Sequence, residues 1–155
     1  MTRFATVLVA TDGTEDSDGA VEAAVDLAHD TGARLLVLSV VPEGASDDAE
    51  EDGGAPRRES APRDGDSEID QAAERANSIV DHAIEWGLDA APIIWEGDPA
   101  QAILAAAASE TADIIVIGSS ARGGVGRILL GSVSDAVIRN ATVPVMVVRS
   151  ARERD

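Results

Sequence analysis

The sequence predicts an α/β protein with a doubly wound, five-stranded parallel sheet of strand order 3-2-1-4-5, flanked by four helices. Five short runs rich in Val, Ile and Leu alternate with four segments whose apolar residues recur at helical spacing. The runs lack apolar/polar alternation, as is typical of strands covered on both faces. A length of 155 residues fits one domain with right-handed crossovers.

The first βαβ unit is predicted from residues 4 to 41. A strand over residues 4–10 is followed by a turn at Thr11 to Thr14 and a helix that stops near Gly32. Acidic residues open this helix, where they favour its dipole, and glycine is common just after a helix ends. Residues 35–41 form the second strand, and the first strand is expected at the centre of the sheet.

Residues 43–67 differ in composition from the rest of the chain. They hold nine acidic residues and three Arg among many Gly, Pro and Ser, with no apolar period. We predict a mobile acidic loop within a single domain that spans residues 1–155. A solvated loop is the favoured interpretation, and a lid or binding segment is the alternative.

The next helix and strand carry clear boundary signals. Helical spacing covers residues 69–84, and residues 90–95 predict a strand whose Pro92 favours the sheet edge, where a missing N–H costs no ladder bond. Asp98 and Pro99 then predict the start of a helix, as N-cap and first helical residue, that runs to about Glu110.

The last strand is predicted from Val143 to Val148, and its Pro144 again favours an edge. An apolar edge strand is prone to aggregation unless it is paired. Pairing with the same strand of a second copy would cover it and give a two-fold dimer. We therefore expect a homodimer through this strand.

The most informative stretch lies between residues 113 and 133. Four branched apolar residues, 114–117, run into a loop with four glycines, and a helix is predicted over residues 133–139. Ligands of open α/β sheets bind at the carboxyl ends of strands, and the N–H groups of a glycine-rich turn can hold an anion. The stretch predicts a loop that binds nucleotide phosphates.

Two common phosphate-binding motifs are excluded. A Walker A loop needs a Lys after its last glycine, and all 12 basic residues of this chain are Arg. A dinucleotide fingerprint would need glycine at Leu129 and would normally follow the first strand. The remaining pattern is Gly118-x2-Ala121-x9-Gly131-Ser132.

This pattern resembles the Gly-x2-Gly-x9-Gly-Ser/Thr motif of nucleotide-binding members of the universal stress protein family. The resemblance covers nearly the whole chain, including Thr11-Asp12-Gly13 after the first strand and the closing Val-Pro-Val. It implies the adenine-nucleotide alpha-hydrolase-like fold. It also implies that Asp12 and Val40 line the ribose and adenine, with the Val40 main chain at the base edge. The residues implied around the phosphates are Gly118, Ala121, Gly131, Ser132 and Val133.

The predicted phosphate site has one departure from the family motif. Ala121 stands where the motif has glycine, and at a positive φ alanine costs about 1 kcal/mol and adds a methyl group. That cost corresponds to about a fivefold loss of affinity. Arg122 and Arg127 either add positive charge to the site or are solvated loop residues, and the sequence supports both interpretations equally. Ser132 and Val133 open a predicted helix, whose N-terminal N–H groups attract anions.

Charge and composition exclude several kinds of partner. The formal charge of −17 argues against nucleic acid and anionic membrane surfaces. An acidic chain without Lys is typical of a halophilic protein that is soluble in molar salt, and an Arg-favouring genome is the alternative explanation. The chain has no Cys, no run of about 20 apolar residues and no N-terminal run long enough for a signal peptide, so we expect a cytoplasmic protein.

No residue pattern points to a catalytic centre. His29 and His82 lack the paired spacing of a metal site, and no Ser has an evident His base. The stretch Asp12-Gly13-x2-Asp16-Ser17 weakly resembles the SGGxDS pyrophosphatase loop. Trp86 and Trp95 are interpreted as packing residues.

We therefore expect a homodimeric stress-response module, regulatory or protective, that binds ATP or a related adenine nucleotide, alone or with Mg or Mn. It is expected not to be an enzyme. Two alternatives stay open: a homodimeric interaction protein with a vestigial pocket, and a slow ATP hydrolase.

Overall fold

Five parallel strands form the sheet in the computed structural model, which describes residues 4–13, 15–41, 64–119 and 131–149. The strand order is β3-β2-β1-β4-β5, which confirms the predicted order with the first strand at the centre. The strands are β1 (Thr6–Thr11), β2 (Arg34–Val41), β3 (Ala90–Glu96), β4 (Ile114–Ser119) and β5 (Val145–Arg149).

Four helices connect the strands and cover both faces of the sheet. They are α1 (Glu15–Thr31), α2 (Asp64–Glu85), α3 (Pro99–Ser109) and α4 (Ser132–Asn140). Gly32 follows α1 with a φ of 71°, which confirms it as the predicted stop. No helix in these described ranges is both long and apolar enough to cross a membrane.

Two predicted boundaries were wrong by a few residues. Helix α2 begins at Asp64, so the last four residues of the predicted acidic loop are helical. Carboxylates in a first helical turn are favourable but carry no apolar period, which is why the pattern places the start at Ile69. Residues 42–63 lie outside the described residues, and their mobility stays a prediction.

The last strand begins at Val145 and not at Val143. Pro144 has no N–H to give to a ladder, but its carbonyl accepts a hydrogen bond of 3.0 Å from the Ile115 N–H of β4. The pairing of β4 with the last strand therefore starts at the Pro144 carbonyl, and the regular strand begins at the next residue. β3, which contains Pro92, and β5, which follows Pro144, are at the sheet edges, as predicted.

The core consists of two aliphatic layers, one on each face of the sheet. Val7 and Val9 pack in the layer under α1 and α2, whereas Leu8 packs in the layer under α3 and α4. This alternation means that β1 is buried on both faces. Helix α1 approaches the sheet closely because the residues on its inner face are small and fully buried: Ala20, Ala24 and Ala28.

Asp113 fixes the starting point of the central strand pair. Its Oδ2 accepts hydrogen bonds of 2.9 Å from the N–H groups of both Ala5 and Thr6. In turn its own N–H donates to the Thr6 carbonyl at 2.9 Å. These bonds precede β4 and hold it in register with β1, so the two strands end near each other.

Helix α3 begins as predicted. Asp98 is the N-cap, and its Oδ2 accepts a hydrogen bond of 3.0 Å from the Gln101 N–H, with Pro99 as the first helical residue. The cap satisfies one of the N–H groups that a helix start leaves without an intrahelical acceptor.

We expect Asp98→Ala to lower the free energy of unfolding by about 1 kcal/mol, because the Gln101 N–H loses its acceptor. Urea denaturation measures this loss from the shift of the midpoint at constant slope. Asp98→Ser is the matched control and should retain most of the stability, because a Ser hydroxyl can cap the same N–H. Equal losses in the two variants would contradict the assigned cap.

Candidate functional site

A cavity of about 200 Å³ opens at the carboxyl edge of the sheet. It lies where the ends of β1, β2 and β4 meet the first turns of α3 and α4, which is the usual ligand position in this architecture. Its lining is largely apolar. The lining residues are Ala10, Thr11, Asp12, Ser17, Val40, Pro99, Ile103, Ile117, Gly118, Val133 and Ser134.

Four of the predicted site residues meet in this cleft. Asp12 follows the end of β1, Val40 lies near the end of β2, Gly118 lies near the end of β4, and Val133 is in the first turn of α4. They come from four separate segments of the chain. The register of the parallel strands therefore brings together residues that are far apart in the sequence.

The turn that carries Asp12 is held by hydroxyl groups. Thr11 is buried, and its Oγ1 lies 2.9 Å from the Oγ of Ser17 in the first turns of α1. The same Oγ1 accepts a hydrogen bond of 3.1 Å from the Gly13 N–H. Gly13 has a φ of 79°, a conformation that favours glycine. These contacts fix the backbone on either side of Asp12.

Helix α4 directs its N-terminus towards the cleft. Gly131 is the N-cap residue with φ of −64° and ψ of 164°, so its backbone does not require glycine, and it makes no side-chain cap. Ser132 is exposed and does not line the cavity, whereas Val133 does. The N–H groups of this first turn have no intrahelical acceptor, and they form an environment that suits an anion.

Ser134 was missed by the sequence analysis. It is buried, and its Oγ donates a hydrogen bond of 3.3 Å to the Gly118 carbonyl, which ties α4 to the end of β4. Its position two residues after Ser132 gave no signal by itself. Only the packing of α4 against β4 reveals the role.

The apolar wall of the cleft was also missed. Pro99 and Ile103 of α3 line it, one helical turn apart. Pro99 was identified only as a helix start, and Ile103 was not singled out. Their spacing of four residues on the helix that follows the third strand was the available signal.

The central part of the predicted phosphate loop falls outside the described residues. Ala121 and Arg122, together with Arg127, lie in the stretch 120–130 that joins β4 to α4. Their roles stay predictions. The described cavity is smaller than the roughly 300–1,000 Å³ of typical small-molecule sites, and this stretch connects two of its walls.

The histidines lie elsewhere. Both rings are next to Trp86, with centroid distances of 5.9 Å for His29 and 6.0 Å for His82. Trp86 is 52% exposed, so it is a surface aromatic and not the packing residue that we expected. Within the described ranges, no group of three or more His, Asp or Glu is arranged to hold a metal ion.

The cleft combines three features that suit one kind of ligand. Apolar walls can hold a flat ring, a carboxylate at the turn after β1 can accept hydrogen bonds from hydroxyl groups, and the start of α4 can attract an anion. These features occur in this order along an adenine nucleotide. The described residues therefore fit such a ligand chemically.

Two relatives match nearly the full chain. A universal stress protein of Thermus aquaticus, from the QAH/OAS sulfhydrylase 3' region, is 35% identical over 153 residues, which cover 94% of this chain and 99% of the relative. Universal stress protein MJ0531 of Methanocaldococcus jannaschii is 31% identical over 147 residues, which cover 95% and 83%.

Solved structures show the same fold. Universal stress protein UspA from Lactobacillus plantarum has a TM-score of 0.71 at 23% identity and covers 96% of this chain and 100% of that chain. A universal stress protein in complex with cAMP gives 0.65 at 23%, with coverage of 97% and 100%. The Archaeoglobus fulgidus protein in complex with dAMP gives 0.65 at 21%, with coverage of 96% and 99%.

At these identities the solved structures establish the fold, which is the predicted adenine-nucleotide alpha-hydrolase-like architecture. The family assignment has a separate basis, because the model of the universal stress protein family matches residues 3–149. This chain therefore belongs to the universal stress protein family.

Proposed function

We propose that the cleft binds ATP or a related adenine nucleotide and that the protein is a regulatory or protective module of the stress response. The observation that carries the proposal is the meeting of Asp12, Val40, Gly118 and Val133 around one cavity beside the start of α4. The related structures in complex with cAMP and dAMP support an adenine ligand.

Each part of the cleft has a task in this proposal. The adenine lies between the apolar side chains, with the main chain of Val40 at its edge. Asp12 accepts hydrogen bonds from the ribose hydroxyls. The phosphates lie at the first turn of α4 beside Gly118, Gly131 and Ser132, and the loop residues Ala121 and Arg122 complete their surroundings. A Mg or Mn ion, where present, would enter with the phosphates.

We also propose that two copies pair through β5. In the described residues β5 pairs with β4 on one side and has no strand on the other. The Pro144 carbonyl faces β4, so by alternation Val145 and Val147 present their N–H groups to the open edge. Those groups could extend the sheet into a second copy.

A nucleotide-free interaction protein is the second candidate. Two observations favour it: the described cavity of about 200 Å³ is small, and Ala121 replaces the motif glycine. This candidate predicts the same dimer and an empty cleft, so nucleotide occupancy separates the two.

Protein purified in high salt and then denatured should release an adenine nucleotide, detected by chromatography, and calorimetry should show binding of added MgATP.

Asp12→Asn should weaken the affinity for both ATP and adenosine about tenfold, because the ribose hydroxyls lose a charged acceptor. Asp26→Asn makes the same chemical change on the exposed side of α1 and should bind like the wild type.

An empty preparation that gives no calorimetric signal with MgATP would contradict nucleotide binding and support the second candidate. Slow phosphate release from ATP that depends on Asp12 would contradict a purely binding role.

Ala121→Gly should tighten ATP binding about fivefold, because the substitution removes a methyl group and the cost of a positive φ beside the phosphates. Adenosine is the internal control and should bind both proteins equally, since it has no phosphate. An unchanged affinity for ATP would show that residue 121 does not act as the family motif implies.

Light scattering in molar salt should give twice the chain mass of 15.9 kDa. Val147→Pro should shift the protein towards the monomer, because it removes an N–H from the open edge of β5. Val147→Ala keeps that N–H and should remain dimeric. A wild-type monomer at micromolar concentration would rule out the β5 pairing.

A further inference from the structure

The side chain of Arg75 on α2 lies beside the turn that carries Asp12. A Cβ added to Gly13 would overlap Cδ and Nε of Arg75 and would lie 2.9 Å from its Cζ. Gly13 has a positive φ, and the end of the Arg75 side chain occupies the space where its Cβ would stand. The contact joins α2 to the turn between β1 and α1.

The placement of Arg75 is unusual for an arginine. Its Nε is buried, and among the described residues it has no hydrogen-bond partner. Buried polar N–H groups are normally satisfied, and a guanidinium is normally hydrated or paired. The Arg75 side chain as a whole is half-buried, and its end lies beside the exposed Gly13.

A groove of about 530 Å³ surrounds this contact, on the α1 and α2 side of the turn. Thr11 lines both this groove and the nucleotide cleft, so the turn separates the two spaces. The groove also contains the carboxylates of Asp18 and Glu74. An anion would be repelled there, so the groove does not favour a second phosphate site.

We propose that Arg75 is a positioning residue for the cleft: the end of its side chain packs beside Gly13 and holds the turn in the conformation that directs Asp12 to the ligand. The inference rests on the proposed nucleotide function. The Thr11 hydroxyl accepts a hydrogen bond from the Gly13 N–H, and the end of the Arg75 side chain lies beside the same residue. Without the arginine, the turn samples conformations in which Asp12 does not face the ligand.

The first experiment compares affinities by calorimetry. Arg75→Ala should weaken ATP and adenosine by the same factor, about five- to tenfold, because apparent affinity falls with the fraction of molecules that hold the binding conformation. Arg75→Met should restore most of the affinity, because its unbranched side chain keeps the packing over Gly13 without the guanidinium.

Arg34→Ala is the matched control. It removes an arginine side chain from the start of β2, at the amino ends of the strands and away from the cleft at their carboxyl ends. There Arg34 pairs with Asp89 at 3.8 Å. This variant should bind like the wild type. A loss in Arg75→Ala that is confined to ATP would reveal a direct phosphate contact and overturn the positioning role, as would a Met variant that binds no better than the Ala variant.

The second experiment needs no nucleotide, so it separates failure of this inference from failure of the proposed function. Hydrogen exchange of the Gly13 amide, measured by NMR in the ligand-free protein, reports directly on the turn. We expect exchange at least about tenfold faster in Arg75→Ala than in wild type, Arg75→Met and Arg34→Ala. Equal rates in all four proteins would overturn the inference, even if the cleft binds ATP.

Discussion

The pairing of β1 on both sides is the constraint on which the cleft depends. Val9 lies opposite Val37 of β2 and Val116 of β4, and Asp113 anchors the start of the β1 and β4 pair. A slip of one residue would exchange the faces of a strand that is buried on both sides. It would also move the turn after β1 away from the ends of its neighbours. The register of β1 with its neighbours therefore determines the position of the strand ends that form the cleft.

The sequence was sufficient for the architecture because its strongest signals concern position in the sheet. Pro92 and Pro144 exclude the centre of the sheet, and the βαβ pattern directs each crossover. The predicted helix boundaries were less accurate where the first turn of a helix consists of polar residues, as at Asp64. An acidic stretch without apolar period predicts no helix or strand, which is why residues 43–67 were predicted as a loop although the last four of them are helical.

The cleft residues that could be predicted are those that the resemblance to the family motif names. Asp12 and Gly118 are of this kind, whereas Ile103 and Ser134 depend on how far α3 and α4 rotate about their axes as they pack on the sheet. That rotation is set by side-chain volumes on two elements at once, which a single periodic pattern does not encode. Arg75 beside Gly13 is a further example, because it belongs to α2, which lies on the other face of the sheet from α3 and α4.

The small inner face of α1 has a consequence for how this protein can vary. Ala20, Ala24 and Ala28 are fully buried, and the same helix contributes Ser17 to the hydroxyl pair with Thr11. A larger side chain at any of the three would move α1 away from the sheet, because a close-packed interior has no room to absorb added volume. That displacement would pass along a rigid helix to the turn after β1. Substitution of these alanines can therefore change the shape of the cleft without changing any residue that lines it.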